Sequence, residues 1–491
     1  MCRKLLKTSL VFVALVSISA PKAFAEGTRQ LAPNPLDSLV MLECDRDGFG
    51  NFAAYDGPED SRLFVTIKDP NEIVYLGLSG EHQPNGMIYD LSRSNYEFRI
   101  RKPGDATPVH GPFTINNDNA NVKSWTQAQF GNYAVDARDE NNDLIYTFAP
   151  GEAGDYIIEI RDLFSDGTAQ INIGYWDITV TLDDQPILGR VWSRNWSFRT
   201  PAVSERTTPE CQWNREFNGT LYSYTTDGFV SRINFANSGL QGLSFNVAFN
   251  STGPGDSDDL VVNRRSVPGI NETVRAAEHQ IFLNEPDPEV FPDGECGDIT
   301  AAAEFTCTAD GFCLEVSVTK PGQVEVYLDF DQNGQFDPNS MDVNLIYNFG
   351  PNELSACIPW DGIKGDGTPI GFGDRVDMIF AYSQGVQHWA VFDVEYLKNG
   401  FCVESIRPQC AGGIVTDRLY WDDTLIPDDP GTGQPKNGQN GCSCATDGCR
   451  TWNNFDVNIT TGDCTDVIDD LTTGYGDKNT LNTWWFANVI I

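Results

Sequence analysis

The sequence has little positive charge, four histidines and, past its first 25 residues, no long apolar run. Lys and Arg number 33 against 70 Asp and Glu, so the surface repels nucleic acid and anionic lipid. No later stretch approaches the roughly 18 apolar residues that a membrane helix needs, which excludes a span of that kind. His82, His110, His279 and His388 do not form an H-E-x-x-H pair, and no G-x-S-x-G elbow is present. No phosphate-cradling loop or basic aromatic patch is visible. Catalysis therefore has no recognisable motif, although 70 carboxylates always offer a pair for glycoside hydrolysis, judged by their separation in space.

The beginning of the chain reads as an address. Arg3, Lys4 and Lys7 precede a short apolar run, Leu10–Ala20, and Ala23-Phe24-Ala25 fits the small-x-small rule for cleavage. The expectation is a secretory signal over residues 1–25, cut after Ala25, and an extracellular or cell-surface mature chain. Removing Cys2 with it leaves 12 of the 13 cysteines, and outside the cell their default is disulfides. They fall into groups of two (Cys44, Cys211), six (Cys296 to Cys410) and four (Cys442, Cys444, Cys449, Cys464). Each group could close on itself, but the pairing is not legible. The last four could hold zinc, but C-x-C-x4-C departs from paired C-x2-C spacing and disulfides are favoured.

What remains reads as strands. With 40% hydrophobic and 11% aromatic residues the chain can bury cores. Short alternating segments such as Leu63–Ile67, Tyr96–Ile100, Tyr156–Ile160, Trp176–Leu182 and Val230–Phe235 sit between Gly, Pro, Asn and Asp. The fold class expected is all-β: tandem β-sandwich domains, Ig-like or jelly-roll-like, with a disulfide-rich C-terminal region. The division expected is 26–200, a second β region over 201–290, a disulfide-bonded Ig-like domain over 291–410, and a Cys-, Gly- and Asp-rich region over 411–491. Glu272–Glu285 is the one candidate helix and Pro286–Gly294 a candidate linker.

The strongest chemical signal is Val324–Ser340. Val324, Val326 and Leu328 alternate with Glu325 and Tyr327, and then Asp329, Asp331, Asn333 and Asp337 recur around Gly334. Oxygen ligands at positions 1, 3, 5 and 9 with Gly at 6 are how a short loop wraps calcium. Gln335 joins the candidate set. The Glu expected at position 12 is missing, since Ser340 stands there; Asp342 is the substitute. The strand before the loop departs from helix–loop–helix, so the expectation is a β-hairpin calcium loop of the weak, extracellular kind. Asp45-x-Asp47-Gly48 is a fainter echo, and Gly253–Asp259 reads as an acidic turn. Trp192 and Trp196, four apart in Arg190–Thr200, would share a strand face and could offer a platform to a sugar, or lie in a core.

Ile358–Val376 carries W-D-G-x-x-G-D-G, and from Trp360-Asp361-Gly362 it resembles the turn of Ig-like domains in flagellar-hook capping proteins and many bacterial surface modules. Its Asp and Gly residues are expected to supply turn geometry. That segment, with His388–Glu395, Gly400-Phe401, Ile406–Pro408, Leu419–Asp423, Gly448–Arg450 with Trp452, and Asn479–Trp485, resembles large secreted adhesin-like surface proteins of gliding bacteria. The chain departs from these in lacking long repeats. The resemblance implies stacked β-modules with a structural or adhesive role, and a glycan or another surface protein as partner. The alternatives are a carbohydrate-binding protein and a secreted hydrolase of polysaccharides.

Overall fold

The computed structural model describes residues 26–33, 40–45, 50–80, 95–130, 138–139, 141–163, 171–200, 216–242, 244–269, 277–309, 311–337, 340–394, 396–413, 417–427, 436–443, 449–452 and 475–491. Nearly all regular structure among them is antiparallel β, as the alternating pattern requires. The helices described are short, at Thr28–Leu31, Trp125–Phe130, Leu260–Asn263 and Tyr475–Lys478.

Two large sheets and a smaller one form the main body. A nine-stranded sheet runs from Cys402–Arg407 at one edge through Thr220–Tyr224, Val191–Ser193 and Leu63–Ile67 to Pro108–Ile115 at the other. A seven-stranded sheet contains Asn479–Trp485, Gln387–Val391, Ser244–Asn250, Asn195–Arg199 and Met41–Cys44. Their apolar faces, together with Val74, Leu76, Trp176 and Ile178 of a four-stranded sheet, share one core. Leu63, Val65 and Ile67 enter that core, while Phe64 points the opposite way into a second cluster with Ile157, Trp192, Phe282 and Phe291. This is the period of two with both faces covered, and it explains why Leu63–Ile67 carries an almost unbroken apolar run.

The expected boundary at 200/201 does not separate sheets. Asn195–Arg199 pairs with Ser244–Asn250, and Val191–Ser193 pairs with Gln280–Phe282, so both sheets run across that point. Alternation identifies strands but carries no information on which distant strand supplies the partner. Gln280–Phe282 also corrects the expected helix over 272–285, whose first part lies partly outside the described residues. The expected linker 286–294 is docked: Asp287 accepts from Arg190 and Phe291 is buried.

A smaller β unit lies within the third expected segment. A three-stranded sheet (Ile299–Thr308, Gly311–Val318, Ser355–Trp360) faces a four-stranded one (Gly322–Asp329, Val343–Phe349, Asp377–Gln384, Asn488–Ile490). Leu314, Val316, Val324, Val326, Leu328, Ile358 and Trp360 make its own core. The strands at 387–391 and 402–407, expected to belong here, join the main body instead. Disulfides Cys296–Cys410 and Cys313–Cys357 pair within the six-cysteine group, and Cys442–Cys449 within the last group. Cys444 and Cys464 lie outside the described residues.

The W-D-G segment is a turn built by its own side chains. Asp361 accepts from the Ile363 amide at 2.8 Å and Asp366 from the Thr368 amide at 2.9 Å. Gly362 and Gly367 take φ of +80° and +81°, where a side chain would be strained. Trp360 turns inward and donates to the Ile363 carbonyl.

Candidate metal centre

Strand Gly322–Asp329 delivers the acidic loop. Val324, Val326 and Leu328 are anchored in the core, which fixes the direction in which the chain leaves at Asp329. Left-handed backbone at Gln332 (φ +60°) and Gly334 (φ +82°) then folds the loop back on that residue. The Gln332 and Gly334 amides donate to the two Asp329 oxygens at 2.6 and 2.8 Å, and the Asn333 amide adds a longer bond. Asp342 returns from the next strand and accepts from the Phe330 amide at 2.9 Å and the Asp337 amide at 3.0 Å.

This places one carboxylate oxygen each of Asp329, Asp331 and Asp342 within 4.8 Å of one another. Ligands of a single calcium ion, each about 2.3–2.6 Å from it, lie within about 5 Å of each other. Asp329 and Asp342 are buried and Asp331 is exposed, so the cluster has a wall and a mouth. An all-oxygen anionic set suits a hard cation. Burial works to raise the Asp329 carboxyl, but the amides of Gly334, Gln332 and Asn333 outweigh it and hold the group below its ordinary range. Asp331 is raised, by desolvation first and then by Asp342 and Asp329 nearby. A divalent ion would relieve that repulsion.

The other candidates brace the loop. Asn333 turns its amide nitrogen to Asp331 at 3.2 Å and Asp337 at 2.6 Å, while its oxygen accepts from the Gln335 amide. Gln335 thus enters through its backbone. Asp342, two residues past the position that EF-hand spacing assigns to Glu, sits with Asp329 and Asp331 because it immediately precedes the partner strand Val343–Phe349 rather than a helix. The fainter echo at Asp45-x-Asp47 lies largely outside the described residues. Gly253–Asp259 ends as a cap, with Asp259 accepting from the Val261 amide.

Trp192 and Trp196 are no platform. They are 3% and 0% exposed, and the bend between Val191–Ser193 and Asn195–Arg199 sends them into different sheets. Trp192 stacks on Phe64 at 4.1 Å and donates to Thr66; Trp196 lies among Phe52, Trp176 and Phe198 and donates to the Ile281 carbonyl. Four-residue spacing puts two side chains on one face only where the strand is continuous. Trp196→Ala should cost roughly 3–5 kcal/mol by cavity formation, read from urea unfolding; a loss under about 1 kcal/mol would contradict this burial.

The reverse face of strand Gly322–Asp329, read from sequence as its polar side, is also covered. Arg264, following the short helix Leu260–Asn263, donates to Glu325 at 2.7 Å and to Gln323. Tyr327 and Asn344 donate to the other Glu325 oxygen. Burial works to raise Glu325, but Arg264 and these donors hold it below its ordinary value. From the sequence Glu325 was only the alternate face of the strand; its burial under Arg264 was not legible. His388 is a core residue: burial, then the charge of Arg264, pushes its pKa well down, and it stacks on Trp484 and accepts at Nδ1 from Asn482.

A groove beside the junction is lined by Asp258, Asp259, Arg265, Trp360, Lys364 and Asp422. Asp422 pairs with Arg265 at 3.5 Å and accepts from Thr424, so ion pairing and turn formation already occupy it. No protein-family model and no curated protein matches the chain.

Proposed function

We propose that the chain is an exported extracellular or cell-surface protein with a structural or adhesive role, stabilised by calcium in the loop 329–342. Residues 1–25 are its secretory signal. The observation that carries the reading is the convergence of Asp329, Asp331 and Asp342 at the end of a disulfide-bonded β unit. An ion there ties the two strands Gly322–Asp329 and Val343–Phe349 together across a loop that otherwise concentrates negative charge. Three disulfides among the described residues support an oxidising compartment. No described helix is long and apolar enough to cross a membrane.

An adhesive role draws support from the hairpin beyond Trp360, where Phe372 is fully exposed between Gly371 and Gly373. The partner would be a glycan or another surface protein. Titration calorimetry of the chelator-treated protein tests the calcium limb. One ion per chain with a dissociation constant of about 10⁻⁴–10⁻³ M is expected, as for extracellular modules, and Asp329→Asn/Asp342→Asn should remove the heat. Equal heats in the two proteins would overturn the site.

A further inference from the structure

The first described residue is buried at its backbone nitrogen, at its side chain and at its carbonyl. Glu26 is 1% exposed. Its carboxylate accepts from the amides of Gly189, Arg190 and Val191. Its carbonyl accepts from the Ile178 amide at 3.0 Å. Its nitrogen donates to Asp177 Oδ1 at 3.1 Å, and Asp177 is itself 2% exposed. The next residues hold this seat in place. Gly27 bridges to Asp177 so closely that a Cβ there would stand 2.3 Å from the Trp176 carbonyl oxygen, and Thr28 accepts from the Trp176 amide.

Among the described residues, no cation faces Asp177. Thr179 donates to the same oxygen at 2.9 Å, and the remaining charged group beside it is the Glu26 carboxyl. Arg190, whose amide meets the Glu26 carboxylate, commits its guanidinium to Glu72, Asp287 and the Thr66 carbonyl. Burial raises Asp177 to about 8 and Glu26 to about 7, the direction expected of carboxyls removed from water without a counter-ion. A positive charge on the Glu26 nitrogen, which already touches Asp177, would supply the missing counter-ion.

We propose that hydrolysis of the Ala25–Glu26 bond supplies that charge, seating the new α-ammonium of Glu26 on Asp177 as a buried ion pair that the unprocessed chain lacks. The inference rests on the reading of residues 1–25 as a signal cut after Ala25. Water is the co-reactant: its oxygen becomes part of the Ala25 carboxylate, and the Glu26 nitrogen leaves as an amine that takes a proton. An α-amine has an ordinary pKa of about 7.7–8.0, and a carboxylate at hydrogen-bond distance favours its charged form. The enzyme is an endopeptidase that reads small residues at Ala25 and Ala23. Because Glu26 is engaged on three sides in the folded protein, the cut precedes the docking of residues 26–28. Before the cut, an amide and a hydroxyl are what meets Asp177 among the described residues; after the cut it has a cation. Processing thus favours the final fold, and an uncut chain is held back from completing it.

The test compares four forms of the full mature chain, each released from a removable N-terminal fusion: one starting at Glu26, one keeping Ala25 before it, and each of these with Asp177→Asn. The form starting at Glu26 should melt several degrees above the form that keeps Ala25, and Asp177→Asn should abolish most of that difference. An amine-reactive reagent should label the Glu26 α-amine only after unfolding; this readout uses the unsubstituted protein and survives a failure of the variant to fold. Equal melting temperatures, or an α-amine labelled in the native state, would overturn the seat. The mass of the exported protein separates the two ideas: a chain starting elsewhere than Glu26 would overturn the cleavage reading itself, whatever the melting data show.

Discussion

Arg264→Met is expected to destabilise the protein by roughly 3–5 kcal/mol, the loss seen when one partner of a buried ion pair is removed. Arg264 and Glu325 are 6% and 4% exposed at their side chains, so neither is screened by water. The guanidinium lies 5.1 Å from the Trp484 ring centre and 5.8 Å from that of Phe486, and its own carbonyl accepts from Asn482. It belongs to the main body, and Glu325 belongs to the smaller β unit, so the pair bridges two units whose hydrophobic cores are distinct. Methionine keeps much of the stem but leaves the carboxylate buried and unpaired. Adding Glu325→Gln should recover most of the loss, because the stranded charge is then gone. Urea unfolding of the single and double variants measures this. Additive losses would show that packing, not charge, fixes the junction. Since Glu325 is held below its ordinary value, its contribution is complete above about pH 4.5 and is lost as pH falls through the lower folded value.

Cys296→Ser/Cys410→Ser should cost about 2–5 kcal/mol. The bond closes a segment of 114 residues that includes the smaller unit, apart from its edge strand Asn488–Ile490, and both strands that return to the main body. Opening it frees the unfolded chain over that whole length, and the entropic term grows slowly with loop size. Cys313–Cys357 lies inside the loop and still restrains part of it, so the loss should fall below the value for an unrestrained loop of this size. Thermal unfolding of the variant should show the smaller unit melting first while the main body, whose core is separate, melts near its original temperature. A single unshifted transition would contradict this role.

Much of the strand content was legible because alternation survives wherever a strand has distinct faces. Leu63–Ile67 and Trp176–Leu182 match their observed limits. The sheet order was not legible. Asn479–Trp485 lies beside Gln387–Val391, and Cys402–Arg407 beside Val230–Asn234, through long-range pairings that no local pattern encodes. For the same reason Gln280–Phe282 was mistaken for helix: three residues between two strand neighbours leave too short a pattern to set a period. The acidic loop was visible because the spacing of its Asp and Asn residues is local. Its third carboxylate was found only as Asp342, offset from the familiar position, because a returning strand rather than a helix closes it. The two tryptophans lie in cores, one of the two readings their spacing left open, but not on one face, because a bend at Arg194, invisible to spacing, separates their strands. The seat of Glu26 on Asp177 joins residues 151 apart, and the sequence indicated only the cleavage rule beside it.

The most direct test of the account is thermal unfolding of the mature protein in 10 mM calcium and in excess chelator, beside Asp329→Asn/Asp342→Asn. With a dissociation constant of about 10⁻⁴–10⁻³ M, about 10 mM calcium stabilises the folded form by roughly 1.4–2.7 kcal/mol. The account predicts that the smaller unit melts several degrees higher in calcium than in chelator, and that the variant shows no such difference. Identical melting of the unsubstituted protein in calcium and chelator would contradict it, and the loop at Asp329 would then be an acidic turn held by its own amides.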